Sequence, residues 1–360
     1  MMMGLQSFLE ERIQRYRAFY ADKEPGSILV QISPYTLNID YSHLDLNDKP
    51  LYMWDIESEA EAIIDNQIRK VRYFNEYTKD LDNDYIPIVT SGLGVGVNSS
   101  FLVGNEVRFG IDTSWTQPAV FEWDDLDKLS FDKDNYWVRI LKRMAKHSVN
   151  MCDGEYAVIT FSHFAPSDMA NALRGNQLFY DFYDYQEQVH KLMDISADAV
   201  IALERELNTI VPDVMGGSVA AYAWMPGHAL YMSEDAADLC APEIYRKYCR
   251  SYTQKVIDAI GGAHIHHHGK GMHVHSEIAK LRNLHFVEIS WDPNCPRPID
   301  NLKKLIDMNP ELPIMTRCTV EDVYEKIDVI KKGRVMLMLI VENLDEAKEA
   351  VAFIRKHSRV

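Results

Sequence analysis

The chain has 360 residues, 47% of them hydrophobic and 26% charged. That is a normal globular balance with a core of useful size, and it allows one large α/β barrel or two ordinary domains. A formal net charge of −16, with Lys and Arg scattered and no basic stripe, argues against nucleic-acid binding and admits a highly anionic substrate only through a local basic pocket.

The longest apolar run, Val335 to Val341, has seven residues and falls short of a membrane span. Five cysteines (Cys152, Cys240, Cys249, Cys295, Cys318) without a CxxC pair argue against a disulfide framework and a four-cysteine zinc module. The opening "MMMGLQSFLEERIQRYRAFY" mixes charges of both signs in an amphipathic pattern, without the apolar stretch and cleavage site of a secretory signal. It reads as a surface helix of a cytoplasmic protein, with residues 1–26 as a helical extension.

Eight short apolar runs follow at 27–33, 85–91, 156–162, 199–204, 263–268, 286–291, 313–318 and 335–341. Most are apolar on both faces, the pattern of parallel strands buried on both sides. Amphipathic segments alternate with them, notably 57–79, "PEIYRKYCRSYTQKVIDAIGG" from Pro242, and 343–357. Pro242 suits a first helical turn, and Gly261 and Gly262 suit a stop. This alternation predicts a (β/α)8 TIM barrel as a single domain over residues 1–360, with an open doubly wound sheet as runner-up. Two long segments, 92–134 and 208–232, follow predicted strands, where a barrel carries its pocket and lid. "SGLGVGVNSS" (91–100) has Gly92, Gly94 and Gly96 but does not match GxGxxG, and it reads as a flexible pocket loop.

Six of the 13 histidines lie in "AHIHHHGKGMHVH", residues 263–275. On a strand, His264, His266 and His268 share one face, and Ile265 and His267 share the other. Same-face neighbours are about 6.6 Å apart at ~3.3 Å rise per residue, so two imidazoles can tilt onto one metal ion but three cannot. His266 and His268, nearest the strand's C-terminal end, are the candidate pair. His264 lies deeper, as a supporting or catalytic group or a core histidine. His267 faces the helical layer. Spacing does not place His273 or His275.

Other candidates sit at predicted strand ends. Glu204 and Arg205, with Glu206, end the 199–204 run, where catalytic or substrate-binding groups belong in a barrel; a solvated loop start is the alternative. Glu288 suits a buried ion pair with Arg317. Asp292 suits a base or metal ligand. Cys318 and, more weakly, Cys295 are ligand or nucleophile candidates, though a small buried residue is the commoner outcome. Trp115, Trp123, Tyr222 and Trp224 fall in the long segments and line a pocket for an aromatic or methylated ligand, or pack a lid. No GxSxG elbow is present.

The segment "SEDAADLCAPEIYRKYCRSYTQKVIDAIGGAHIHHHG" resembles the uroporphyrinogen decarboxylase superfamily. There an Asp-containing stretch leads to a Ser-Pro-Glu helix, then to a strand ending in His-x-Cys-Gly in the corrinoid and thiol methyltransferase branch. Here the ending reads His266-His267-His268-Gly269. "ALRGNQLFYDFYDYQEQVHKLMD" and "FVEISWDP" resemble its helix pair after strand three and its sixth strand. The likeness covers residues 156–360 well and the first half more loosely.

This resemblance implies a (β/α)8 barrel, in which a zinc ion activates a methyl acceptor and a corrinoid protein supplies the methyl group. Homodimerisation is a further family expectation. His266 matches the histidine ligand, and His268 stands where the cysteine would be. The family's third ligand, a cysteine ending the last strand, is missing from "LMLIVENLDEA", and Glu342 is the nearest replacement. A His and carboxylate site leaves more positive charge on the ion than thiolates do, and admits nickel, iron or cobalt beside zinc. The expected chemistry is Lewis-acid activation of a heteroatom, with Glu204 or a loop histidine managing the proton. The decarboxylase branch grips carboxylates with an Arg-rich "RQAGRY"-type motif, whereas "ILVQISPYTLNIDY" here has no arginine. A metal-free decarboxylase-like enzyme and a non-catalytic binding barrel remain the alternatives.

Overall fold

The computed structural model describes residues 7–159 and 163–360. The strands, in chain order, begin with β1 (Ile28–Gln31), β2 (Ile88–Thr90), the hairpin of β3 (Val107–Phe109) and β4 (Ser114–Thr116), β5 (Ala157–Ile159) and β6 (His163–Phe164). The hairpin of β7 (Gly217–Ala220) and β8 (Ala223–Pro226) comes next, then β9 (Leu230–Ser233), β10 (Ala263–His268), β11 (Leu284–Ser290), β12 (Ile314–Thr319) and β13 (Val335–Ile340). The expected strand at 156–162 is described as far as Ile159, and residues 160–162, like 1–6 of the N-terminal extension, lie outside the described residues.

One parallel sheet runs β1-β13-β12-β11-β10-β9-β6, and β2 pairs in parallel with β5. β5 and β6 follow one another along the chain, so the two sheets share one circular order, that of a TIM barrel. Asp84 joins the remaining neighbours, β1 and the approach to β2. Its N–H donates to Val30 O at 2.7 Å, and its Oδ2 accepts the Val30 N–H at 2.7 Å. Arg15 Nε and an Arg355 terminal nitrogen hold Oδ1 at 2.6 and 2.9 Å.

Strand alternation divides the core in two. Ile28, Val30, Ile265, Val287 and Ile314 pack outward against the helices. Leu29, Phe286, Met315, Met336 and Met338 fill the lower lumen. The helix Ser7–Ala21 adds Leu9, Ile13, Tyr16 and Phe19 to that lumen cluster. It therefore closes the N-terminal end of the barrel with a buried face and is more than a surface helix. No described helix is long and apolar enough to cross a membrane.

One predicted strand is a helix. Residues 199–204 lie inside the helix Gln186–Leu207, which buries Val189, Leu192, Met193, Ser196, Ala197 and Val200. That is a 3.6-residue stripe, and the alanines favour it. The fourth barrel position belongs to β9, "LYMS", whose short alternation was hidden inside an apparent loop. The segment 208–232 therefore leads into a strand, and its β7–β8 hairpin enters the lumen from the N-terminal end. The other helices fall close to expectation, at Ile56–Tyr77 with Asp55 as cap and at Leu344–His357 with Asn343 as cap. The Pro242 helix contains one wider turn, Tyr245–Cys249, before continuing through Arg250–Ile260.

Candidate metal centre

β10 carries its histidines on the two faces that alternation requires. His264 lies against Phe286 of the lumen, rings parallel at a 4.0 Å centroid distance. His267 points outward, with Nε2 3.0 Å from His275 Nδ1. The pairing of β10 with β11 sets His264 beside Phe286, His266 beside Glu288 and His268 beside Ser290.

The upper two imidazoles converge. Their Nε2 atoms stand 3.4 Å apart, with ring planes at 88°. Each ring is held from behind by a carboxylate. His268 Nδ1 lies 2.6 Å from Asp292 Oδ1, and His266 Nδ1 lies 3.2 Å from Glu288 Oε2. Asp235 Oδ1 approaches from the end of β9, 3.4 Å from His268 Nε2 and 3.9 Å from His266 Nε2. One donor atom from each of Asp235, His266 and His268 lies within 4.8 Å of the others.

This set fits a divalent ion. Two nitrogens bound tetrahedrally at ~2.0–2.1 Å stand about 3.4 Å apart. The Asp292 carboxylate behind the outer nitrogen of His268 fixes the tautomer that turns its Nε2 inward, and the Glu288 carboxylate faces His266 Nδ1. Two neutral imidazoles and one carboxylate suit zinc and other borderline cations.

The electrostatics point the same way. The hydrogen bond to Asp235, reinforced by Asp292, pushes the His268 pKa up to about 10. Burial disfavours charge on His266, yet Glu288 outweighs it and the pKa is raised. Burial also opposes ionisation of Glu288, but His266 and His264 bring it down to about 2. The metal-free pocket thus concentrates carboxylates that demand positive charge.

The loop bearing Asp235 is fastened at every residue. Glu234 N–H donates to His266 O at 2.8 Å. Asp168, at the start of the helix Pro166–Arg174, accepts from Ser233 Oγ at 2.6 Å, Asp235 N at 3.1 Å and Ala236 N at 2.6 Å. The buried Glu234 carboxylate accepts from Ser167, from Tyr245 Oη at 2.8 Å and from Thr253 Oγ1 at 2.5 Å. Asp238, one turn on, has a buried Oδ1 without a hydrogen-bond partner among the described residues. Burial lifts its pKa to about 7, with Asp235 and Asp292 adding and His268 opposing. A Cβ on Gly271 would sit 1.8 Å from that oxygen, so a larger residue there would displace the Asp238 carboxylate.

The uroporphyrinogen decarboxylase (URO-D) family model matches residues 102–307, more than half of the 360-residue chain. The chain belongs to the uroporphyrinogen decarboxylase family. Among solved structures, a methyltransferase from Methanosarcina mazei is similar in fold, with a TM-score of 0.65 and 12% identity, over 97% of this chain and 98% of that one. No curated protein sequence matches the chain.

In this member of the family the expected residues separate into three groups. His266, His268 and Asp292 come together at the mouth of the barrel, Asp292 as the partner of His268. His264 lies directly below, fully buried, with its pKa brought down to about 3 by burial and its Nε2 3.7 Å from Glu288. It supports the pocket floor and does not reach the mouth. Tyr222, at the tip of the β7–β8 hairpin, lines the lumen against Tyr35 and Tyr85, with centroids at 5.9 and 5.1 Å.

The remaining candidates lie elsewhere. Glu204 sits in a helix, not at a strand end, 2.7 Å from His163 Nε2 and 2.6 Å from Asn208 Nδ2. With Asn208 and His228 it lines a cavity of about 60 Å³ that includes none of the three converging residues. Arg205 reaches the carbonyl of Ala259 in the helical layer, and Glu206 pairs with Lys142. Trp224 is buried at the barrel floor and donates to Val214 O at 2.7 Å. Trp115 stands 46% exposed on the β3–β4 hairpin, and Trp123 packs under Arg174. Glu342 is exposed and its N–H bonds Glu346; the carboxylate grouped with the two imidazoles is that of Asp235. Glu288 meets His266 and His264 in place of an ion pair with Arg317. Cys318 is buried, its thiol pKa pushed well up by burial. His273 bonds the carbonyl of Cys240.

Sequence reasoning missed Asp235, Asp168 and Asp238. The available signal was "LYMSED" itself: a short alternating strand ending in two acids, just ahead of the histidine strand.

Proposed function

We propose that this chain is a metal-dependent methyltransferase that moves a methyl group between a corrinoid protein and a small acceptor or donor. The convergence of His266 Nε2 and His268 Nε2 with Asp235 Oδ1 carries the reading. These three atoms would hold a divalent cation, with zinc the first choice for the donor set. Bound there, the cation supplies Lewis-acid polarisation of the small molecule's heteroatom.

The chain's own residues prepare that site. Asp292 orients the His268 imidazole through its hydrogen bond, and the Glu288 charge favours His266 beside it. Asp168 and Glu234 hold the Asp235 loop. Asp238 Oδ1, buried beside the cluster, is placed to keep or pass the proton released when the heteroatom binds. The absence of arginine from residues 28–41 favours this reading over the removal of carboxylates from a porphyrinogen.

The test is elemental analysis of purified, untagged protein. Near-stoichiometric zinc, nickel, iron or cobalt is expected, and it should disappear from a His266→Ala, His268→Ala double variant. A wild type that takes up no divalent ion after reconstitution would sink the metal mechanism and put metal-free decarboxylation first.

A further inference from the structure

Among the described residues, one arginine facing the lumen has a buried nitrogen without a hydrogen-bond partner. Arg317 lies on β12, two residues after Met315, which belongs to the lumen cluster, so alternation turns its side chain inward as well. Its Nε is buried and finds no hydrogen-bond partner among the described residues. Glu288, whose charge it feels, is already engaged by His266 at 3.2 Å and His264 at 3.7 Å. On β13 its register partner is Met338. On β11 the pairing of Ile289 with Thr316 puts Ser290 alongside it. Neither neighbour carries a charge.

A guanidinium stays ionised in any protein environment, and an unpaired one is costly to bury. Arg317 is half-buried, and its Nε has no hydrogen-bond partner among the described residues, although Glu288 lies one strand away. The register also fixes where Arg317 stands. His268 is beside Ser290 on β11, and Ser290 is beside Arg317 on β12. The metal-facing histidine and the arginine are therefore two strand spacings apart, about 9.6 Å between backbones at ~4.8 Å each. Both side chains face the same lumen, at a separation that a small molecule of a few bonds spans.

We propose that Arg317 is the anion-binding residue of this site and that the small-molecule substrate carries a carboxylate a few bonds from its reacting heteroatom. The inference rests on the metal-centre reading for the heteroatom end alone. The planar fork of a guanidinium matches the two oxygens of a carboxylate. The positive charge at this end also separates the anion from Asp235 and Asp292, which would repel it at the other.

The experiment compares 3-mercaptopropionate with its neutral isostere 3-mercaptopropionamide by titration calorimetry. It uses the full chain, both zinc-loaded and chelated. Wild type should prefer the acid by about 10-fold or more, the scale of one charge-assisted contact. Arg317→Met should erase that preference while leaving amide affinity, zinc content and melting temperature near wild type. Arg317→Lys should retain part of it. Equal affinity of acid and amide in wild type overturns the proposal, as does an undiminished preference in Arg317→Met. A wild type that binds no zinc, yet prefers the acid through Arg317, refutes the metal reading and upholds the anion site.

Discussion

His268 Nδ1 stands 2.6 Å from Asp292 Oδ1, and this contact aims the opposite ring nitrogen at the Nε2 of His266. A carboxylate in that position fixes the imidazole tautomer and raises its basicity as a ligand. Asp292→Ala is therefore expected to weaken zinc binding by about 10- to 100-fold. Competition against a chromophoric chelator measures it. An unchanged zinc affinity would mean that Asp292 merely pairs with His268 and does not prepare it.

The metal-free protein should release protons when it takes up metal. The hydrogen bond to Asp235, with Asp292 behind it, holds the His268 pKa at about 10, so the ring is an imidazolium at neutral pH. A cation must displace that proton before Nε2 can bind. Apparent zinc affinity should thus climb with pH up to about 10 and flatten beyond it. The same raised pKa stabilises the metal-free fold fully below the unfolded value of ~6.5, and that contribution fades as pH rises through the folded value. Calorimetry in two buffers of different ionisation enthalpy counts the protons, and a count of zero would contradict the arrangement.

Asp168 acts at a distance, through the loop. It binds Ser233 Oγ and the N–H groups of Asp235 and Ala236, and burial raises its pKa. Asp168→Ala leaves two backbone donors without their acceptor, which should cost about 1–3 kcal/mol in urea unfolding. Because Asp235 rides on that loop, zinc affinity should fall as well, with partial rescue by Asp168→Asn. A loss of stability with zinc affinity intact would reduce Asp168 to a structural residue.

The histidine face was legible because a strand's period of two leaves no choice. Once residues 263–268 form a strand, His264, His266 and His268 must share a side. Barrel order was legible from alternating apolar runs and amphipathic segments. The exception shows the limit of that signal. "AVIALE" is as apolar as a strand, and only the longer stripe from Val189 to Leu207 reveals the helix. Misplacing that strand moved the expected acid to Glu204 and left Asp235 in an apparent loop. Glu342 stands apart from the converging residues for a different reason. Which carboxylate meets the two imidazoles is set by distance across the barrel mouth, which strand register determines and spacing along the chain does not.

Register in turn depends on how the barrel is joined, and Asp84 is where this dependence can be tested. Its backbone and Oδ2 bind both polar groups of Val30, and its Oδ1 takes Arg15 from the N-terminal helix and Arg355 from the C-terminal one. The carboxylate is fully buried, so removing it leaves the Val30 N–H without its acceptor and leaves Arg15 and Arg355 only their contacts with Asp82 and neighbouring carbonyls. Asp84→Ala should cost about 1–3 kcal/mol, the scale of a buried donor left without its acceptor. Urea unfolding measures the loss. Zinc affinity of the folded fraction should stay near wild type, because β9, β10 and β11, which carry the converging residues, pair with one another and not with β1. If zinc affinity falls in proportion to stability, the metal centre depends on closure of the whole barrel and not on the β9–β11 sector alone.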